Sequence, residues 1–389
     1  MNKIAVPDEV LDIVRVLERA GFEAWCVGGA VRDALLDDPH MDYDIATSAR
    51  PEEVLRLFPR TVPVGLRFGT VGVLDRRRQL HEVTTFRRDI ATDGRHAVVQ
   101  YGVSLEDDLA RRDFTINALA YHPLREEWRD PFNGAADLTR RVVRAVGNPA
   151  QRFREDYLRI LRGLRFSARL GFTIDPATWE AARAATDGLP QLSAERVRDE
   201  WFKSLRTARD INELVRLWRE SGVAAAWMPE LGPASEAAGV IEPGERDPVL
   251  LTCLLTSDPV AVLRRLKASN QEIGRAVALG EALPLPDRSD EVTVRRWLSR
   301  AGAAAGDHAT LIRWRTGQRP AWALVAEHIR QRGDALTRDA LAISGGDLRS
   351  IGLEPGPGMG MVLDRLLDRV LEDPTVNTRE QLLSLAREV

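Results

Sequence analysis

Lysine is almost missing from this chain of 389 residues. Lys3, Lys203 and Lys267 are the whole set, and the other 52 of its 55 basic side chains are arginine. Cysteine is equally scarce: Cys26 and Cys253 stand too far apart in sequence to form a metal motif. Two such thiols exclude a disulfide scaffold and point to a reduced, cytoplasmic setting. No apolar run reaches the roughly 18 residues that would suggest a membrane-spanning helix. The opening MNKIAVPDEV has no basic region followed by an apolar stretch, so no signal peptide is expected. Net charge is nearly absent as well, at -3, which argues against a nucleic-acid partner held by bulk charge.

What is present is a chain built for large cores. Hydrophobic residues make up 44% and charged residues 29%, which excludes a disordered or collagen-like polymer. The length predicts two to four compact units. Genomic composition accounts for an arginine excess in a chain also rich in Ala, Val, Leu and Gly. Arginine is nevertheless the better ligand for phosphates and bases wherever it clusters.

The first third alternates helical and strand patterns. Pro7-Asp8-Glu9 opens an amphipathic segment that runs to Ala20 and stops at Gly21. A strand is predicted over Ala24 to Val27, then Gly28-Gly29 and a helical run through Leu36. Thr47 or Ser48, with Pro51-Glu52-Glu53, starts another helix. Strand patterns follow over Phe68 to Leu74 and Leu80 to Phe86, parted by the turn Asp75-Arg76-Arg77-Arg78. From about Asn148 onward the pattern is almost wholly helical. Linkers are expected over Pro229 to Pro233, Ile241 to Pro248 and Leu283 to Ser289.

Five motifs carry chemistry. Gly28-Gly29-Ala30-Val31-Arg32-Asp33 lies between a strand and a helix, where glycines let backbone approach a phosphate and Arg32 adds charge. A tight turn with a surface arginine would read the same. Asp42-x-Asp44 places two carboxylates on one side of a strand; they repel unless a cation such as Mg²⁺ lies between them, and a solvated acidic loop would show the same pair. Glu82 could complete the acidic cluster and help deprotonate a hydroxyl if its strand neighbours that of Asp42. An ordinary edge-strand glutamate would look no different, and Asp75 is a weaker rival. Arg111-Arg112-Asp113-Phe114-Thr115-Ile116-Asn117 offers guanidiniums to a triphosphate, or equally a salt-bridged helix end. Finally, Glu155-Asp156-Tyr157-Leu158-Arg159 leads into Arg162, Arg165 and Arg169 on one helical arc, in a 30-residue segment with net charge +7. Such an arc is also what a solvated helix face looks like.

Asp156 and Arg159, three apart, are expected to be neighbours on one helix surface. A carboxylate accepts hydrogen bonds and a guanidinium donates them. Cytosine and adenine each show an amine beside a bare ring nitrogen, and uracil and guanine show the reverse. One Asp/Arg pair therefore suits CTP and ATP and mispairs UTP and GTP.

In this order the motifs resemble those of the class II CCA-adding tRNA nucleotidyltransferases of bacterial type, and of the related bacterial poly(A) polymerases. The resemblance runs from about Trp25 to the C-terminus. Gly28 to Asp33 matches the family's GGxVRD, and Asp42 with Asp44 its metal-binding DxD. Arg112 and Asp113 match its nucleotide-binding RRDFT, and Asp130 to Leu138 its hinge. Asp156 and Arg159 match its base-reading EDxxR, which Arg162 and Arg165 continue, and Ser193 to Val197 its helix-buttressing motif.

The resemblance implies an α/β nucleotidyltransferase (polymerase-β-like) head over 1–145 and all-α parts beyond it. These are a neck with the base-reading helix over 146–206, a body over 207–335 and a tail over 336–389. It implies Mg²⁺ on Asp42 and Asp44. A triphosphate is expected on Gly28, Gly29, Arg32 and Arg112, with Asp113 nearby. The partners are CTP, ATP and the 3′ end of tRNA, with no membrane and no protein partner in view. No histidine is followed directly by aspartate, so the phosphohydrolase of some members is not expected. Arg87 to Tyr101 corresponds to the family's flexible loop and is slightly compact, which leaves CC-only and A-only addition open beside full CCA addition. The same motifs are compatible with a poly(A) polymerase and with a non-enzymatic RNA-binding protein.

Overall fold

The computed structural model describes residues 3–38, 43–92, 97–233, 238, 241–280 and 284–388. Helix α1 spans Asp8–Arg19, with Asp8 and Glu9 in its first turn and Val10, Ile13, Val14 and Leu17 turned inward. It packs on a seven-stranded sheet. The strands are β1 (Ala24–Val27), β2 (Asp44–Thr47), β3 (Thr61–Gly65), β4 (Thr70–Leu74), β5 (Leu80–Thr85), β8 (Ala120–His122) and β9 (Glu127–Arg129), in the order β3-β4-β5-β2-β1-β8-β9. Only the β2–β5 pair is parallel; the others are antiparallel. Between β5 and β8 a hairpin, β6 (Arg87–Thr92) with β7 (Ala97–Tyr101), forms a separate small sheet.

The two faces of the large sheet are buried differently. One carries Cys26, Ile45, Val71, Val73, Val83 and Tyr121 into a core shared with α1 and with Phe114, Phe166 and Phe172. The other carries Trp25, Val27, Ala46 and Ala120 against Leu105 and Leu109 of α4 (Leu105–Ala110). Helices α2 (Gly29–Leu35), α3 (Pro51–Leu57) and α5 (Gly134–Arg140) complete the head. Ser104 caps α4 through a reciprocal pair with Asp107. The cap of α3 is Arg50, not Thr47 or Ser48, because Thr47 is spent on β2, with its hydroxyl donated to the Glu23 carbonyl at 2.7 Å.

Beyond the head come α6 (Pro149–Glu155), α7 (Leu158–Leu170), α8 (Pro176–Ala184), α9 (Ala194–Thr207) and α10 (Ile211–Glu220). Ile160, Leu161, Leu164 and Ala168 of α7 are buried as the periodicity expects. Residues 1–234 with 265–267 form one compact unit, and 235–264 with 268–389 a second. The first unit thus holds the large sheet together with α1 to α10. The segment 265–267 is tied to the first unit by Arg265 on Glu230 at 2.6 Å and Lys267 on Glu195 at 2.9 Å. The second unit is helical. Trp297, Trp322 and Ile329 centre one of its cores, and Leu348, Leu366, Val370 and Leu382 another. Buried Arg295 serves both, donating to the Leu371 and Glu372 carbonyls at 2.8 and 3.1 Å.

Candidate active site

β1 ends at Val27, opposite Asp44 at the start of β2. Gly28 then turns the chain into α2 with φ +78° and ψ −136°, a conformation open in practice to glycine alone. A Cβ there would lie 3.0 Å from Arg112 Nη1 and 3.6 Å from Asp44 Oδ2. The bare turn, a carboxylate and a guanidinium therefore meet at one point. Asp44 is exposed. Asp42 lies outside the described residues. Glu82 is exposed on β5; because β5 runs parallel to β2 with Ile45 beside Val83, Glu82 lies beside Asp44 on the same side of the sheet. The strand of Glu82 thus neighbours that of Asp44. Two oxygen-bearing side chains at the mouth of an unfilled glycine turn suit a hard divalent cation.

Arg112 lies two residues beyond α4, where its Nη2 donates to Asp108 Oδ2 at 3.2 Å, and Arg111 Nε donates to Asp108 Oδ1 at 2.9 Å. Asp108 is buried. Burial would raise its pKa, but Arg111 and Arg112 more than offset that and hold it below the ordinary value. The salt-bridged helix end is thus real, and it aims Arg112 at Gly28.

Several expected nucleotide ligands lie behind this surface. Arg32 is 2% exposed: its Nε donates to Asp33 at 2.7 Å and its Nη1 to Asn117 Oδ1 at 2.6 Å. Asn117 Nδ2 donates to Asp113 Oδ1 at 3.0 Å, and Arg162 Nε to Asp113 Oδ2 at 2.7 Å. Arg165 Nε donates to Glu200 at 2.6 Å, and Arg169 Nη2 to Asp33 at 2.9 Å. The guanidinium carbons of Arg32, Arg162 and Arg165 stand 5.1, 5.4 and 4.3 Å from the centroid of the Phe166 ring. This chain of charges joins α2, the loop after α4, α7 and α9. Burial pushes the Asp113 carboxyl up, but Arg162, Asn117 and the Phe114 N–H pull it further down, to about 2. Arg32 and Arg165 therefore brace head to neck from inside; the buried acceptors around them, unseen in the local motif, remove them from the open surface where they were expected.

The expected helical neighbourhood of Asp156 and Arg159 is also different. α6 ends at Glu155, and Asp156 is extended, with φ −156° and ψ 106°. The i, i+3 geometry therefore does not apply. Asp156 Oδ1 accepts the Leu158 N–H at 3.0 Å, and its Oδ2 accepts Arg196 Nη2 at 2.7 Å. Arg159 Nη1 donates to Glu155 at 2.6 Å and its Nη2 to the Arg111 carbonyl at 3.2 Å. The two side chains are part-exposed, and each is already oriented by a fixed partner. Glu155 stood in the motif but was given no role, although its i,i+4 spacing to Arg159 is legible locally. Arg196 and Glu200 were not among the expected site residues; their signal is spatial, since α9 meets α7 only in the fold.

Asp130 shapes the segment after β9, accepting the Gly134 and Ala135 N–H groups at 2.7 and 3.0 Å. Both cysteines are buried and unpaired with each other. Among the described residues no helix is long and apolar enough to cross a membrane.

Comparison with known proteins follows this geometry. Residues 24–144 match the model of the poly A polymerase head domain, 171–234 that of an RNA- and SrmB-binding site of polymerase A, and 247–386 that of tRNA nucleotidyltransferase domain 2. A CCA-adding enzyme of Streptococcus mutans is 36% identical over 397 residues, covering 97% of this chain and 96% of its own. The structure of the Bacillus stearothermophilus CCA-adding enzyme in complex with CTP is 33% identical, covers 98% of this chain and 96% of its own, and superposes with a TM-score of 0.78. A Thermotoga maritima CCA-adding enzyme complexed with tRNA shares the fold, at 20% identity and a TM-score of 0.65 over 98% of this chain and 96% of its own. Matched along nearly its whole length, with the glycine turn, Asp44 and Arg112 gathered in the polymerase head, the chain belongs to the CCA-adding enzymes, a family of tRNA nucleotidyltransferases.

Proposed function

We propose that this protein adds C and A nucleotides from CTP and ATP to the 3′ end of tRNA, without a nucleic-acid template and with release of pyrophosphate. The observation that carries the reading is the meeting of Gly28, Asp44 and Arg112 at one point. Gly28 and Gly29 let the triphosphate approach the backbone, and Arg112 supplies its countercharge. Asp113 and Arg162 hold the loop and helix behind it. Asp156 accepts a hydrogen bond from the base amine and Arg159 donates to the bare ring nitrogen. Glu82 receives the proton of the attacking hydroxyl.

The family depends in general on a divalent metal. The ion would be Mg²⁺, which Asp44 and its sequence neighbour Asp42 would hold, and when bound it would supply charge stabilisation to the attacking and leaving oxygens. The setting is cytoplasmic. The enzyme reads tRNA by shape and phosphate contacts, as sequence-independent RNA binding requires.

Stepwise addition to tRNA ending before CCA, CA and A tests this, with CTP and ATP given singly and together. Three nucleotides and then a stop is the expected result. A stop after CC, or addition of A alone, would reduce the activity to part of the sequence, and long A tails on generic RNA would replace it with poly(A) synthesis. Normal CTP and ATP preference in an Asp156→Ala, Arg159→Ala double variant would overturn the base-reading roles.

A further inference from the structure

The site-bearing face of the large sheet has two unequal halves. Over β1, β2 and β8 it is packed under Leu105 and Leu109 of α4. Over β3 and β5 it is open: Val62, Val64 and Leu80 are 39%, 45% and 38% exposed. The register brings these three together. Val62 pairs with Gly72 and Gly72 with Glu82, which makes one cross-strand row. Leu80 lies two residues from Glu82 on the same side. A Cβ at Gly72 would fall 2.6 Å from Leu80 Cδ1 and 2.8 Å from Val64 Cγ2, so both side chains close over the bare glycine as an apolar shelf. β3 is an edge strand with Pro63 at its middle. Edges are usually blunted by charge, and a cluster of exposed aliphatics there points to a partner.

The shelf is continuous with the candidate site. Glu82 borders it, Asp44 is one strand further, and Gly28 and Arg112 lie beyond Asp44. The triphosphate therefore has its partners on the α4 side of the carboxylates, and an in-line attack brings the hydroxyl from the opposite side, over the shelf. The turn beyond Leu80 carries exposed Arg76, Arg77 and Arg78; Arg76 and Arg77 pair with Asp12 and Glu9 of α1 at 3.6 and 3.0 Å, on the other face of the sheet, so what the shelf itself offers a strand is apolar surface.

We propose that Val62, Val64 and Leu80 are the docking surface for the unpaired 3′-terminal bases of the RNA primer. The inference rests on the nucleotidyltransferase reading above and adds where the acceptor strand lies. Every base has an apolar face, so contact with it is tolerant of sequence. A shelf without hydrogen-bonding groups suits an end whose last base changes at each addition.

The test is the full chain carrying Val62→Ser, Val64→Ser and Leu80→Ser, assayed with tRNA lacking CCA. The primer KM is expected to rise about tenfold, with the KM for CTP and the Tm unchanged. A primer KM within twofold of the parent in a folded variant overturns the proposal. In the parent, a primer with 4-thiouridine at its 3′ end is expected to crosslink within residues 61–80, and crosslinking confined to other segments also overturns it. A variant that merely shifts from dimer to monomer in sedimentation, with primer KM unchanged, assigns the shelf to a second copy of the chain instead. If the parent adds no nucleotide to any tRNA, the enzymatic reading fails, while the crosslink still reports where RNA lies.

Discussion

Gly28 and Asp113 act through different physics. At Gly28 the backbone occupies a region where other residues cost about 1–3 kcal/mol, and an added methyl would meet Arg112 at 3.0 Å. Gly28→Ala is therefore expected to lower the Tm by several degrees and to reduce kcat/KM for CTP at least tenfold, as read by melting and steady-state incorporation. Asp113 has a folded pKa of about 2 against an ordinary 3.8. A depressed carboxylate contributes stability that is present above its ordinary pKa and lost as pH falls through the folded one. The window is therefore about pH 4 down to pH 2, and the contribution is about 2 kcal/mol. Urea unfolding across that range is expected to show a steeper acid loss in the parent than in Asp113→Asn.

The α6–α7 break is the element that sets the neck. Asp156 caps α7 from outside it, and Tyr157 behind it lies on Gly188, where a Cβ would sit 1.9 Å from the ring. Gly188→Ala cannot keep that ring in place. Overpacking of this kind costs about 1–3 kcal/mol, and the expected result is a lower Tm together with weaker discrimination against UTP, measured by melting and by misincorporation. Much at this scale is legible in the residues alone. The Pro-acid start and Gly21 stop of α1, the strand at Ala24–Val27 and the buried arc of α7 follow from periodicity and end signals. The break at Asp156 does not, since Glu155-Asp156-Tyr157 contains no proline or glycine and nothing local interrupts the helical pattern. Within Arg87 to Tyr101, the stretch matched to the family's flexible loop, Arg87–Thr92 and Ala97–Tyr101 pair as antiparallel strands, and Asp93 to His96 lie outside the described residues. The acceptors Asp33 and Glu200 are invisible for another reason: each lies more than 30 residues from the α7 arginine it binds, and pairing at that range is decided by the fold.

For the whole molecule, the +7 of the neck segment is largely neutralised from within. Arg162 and Arg165 meet Asp113 and Glu200, Arg169 meets Asp33, and Arg144 meets Asp137 and Asp175 at 3.1 and 2.5 Å. Guanidiniums stay charged throughout the accessible pH range, so this bracing is switched only from the carboxylate side. The few lysines have a consequence of their own. Lys203 lies within α9 and Lys3 near the start of the chain, whereas Lys267 has a φ of +51° in a turn outside any helix, where the chain passes from one compact unit to the other. A protease specific for lysine, applied briefly to the native protein, is expected to cut first after Lys267 and release residues 268–389, seen as two bands by electrophoresis; first cleavage at Lys203 would contradict it. Because residues 268–389 hold no lysine at all, that fragment carries no side-chain amine, and any chemical change made at lysine falls only on the piece that bears the catalytic head.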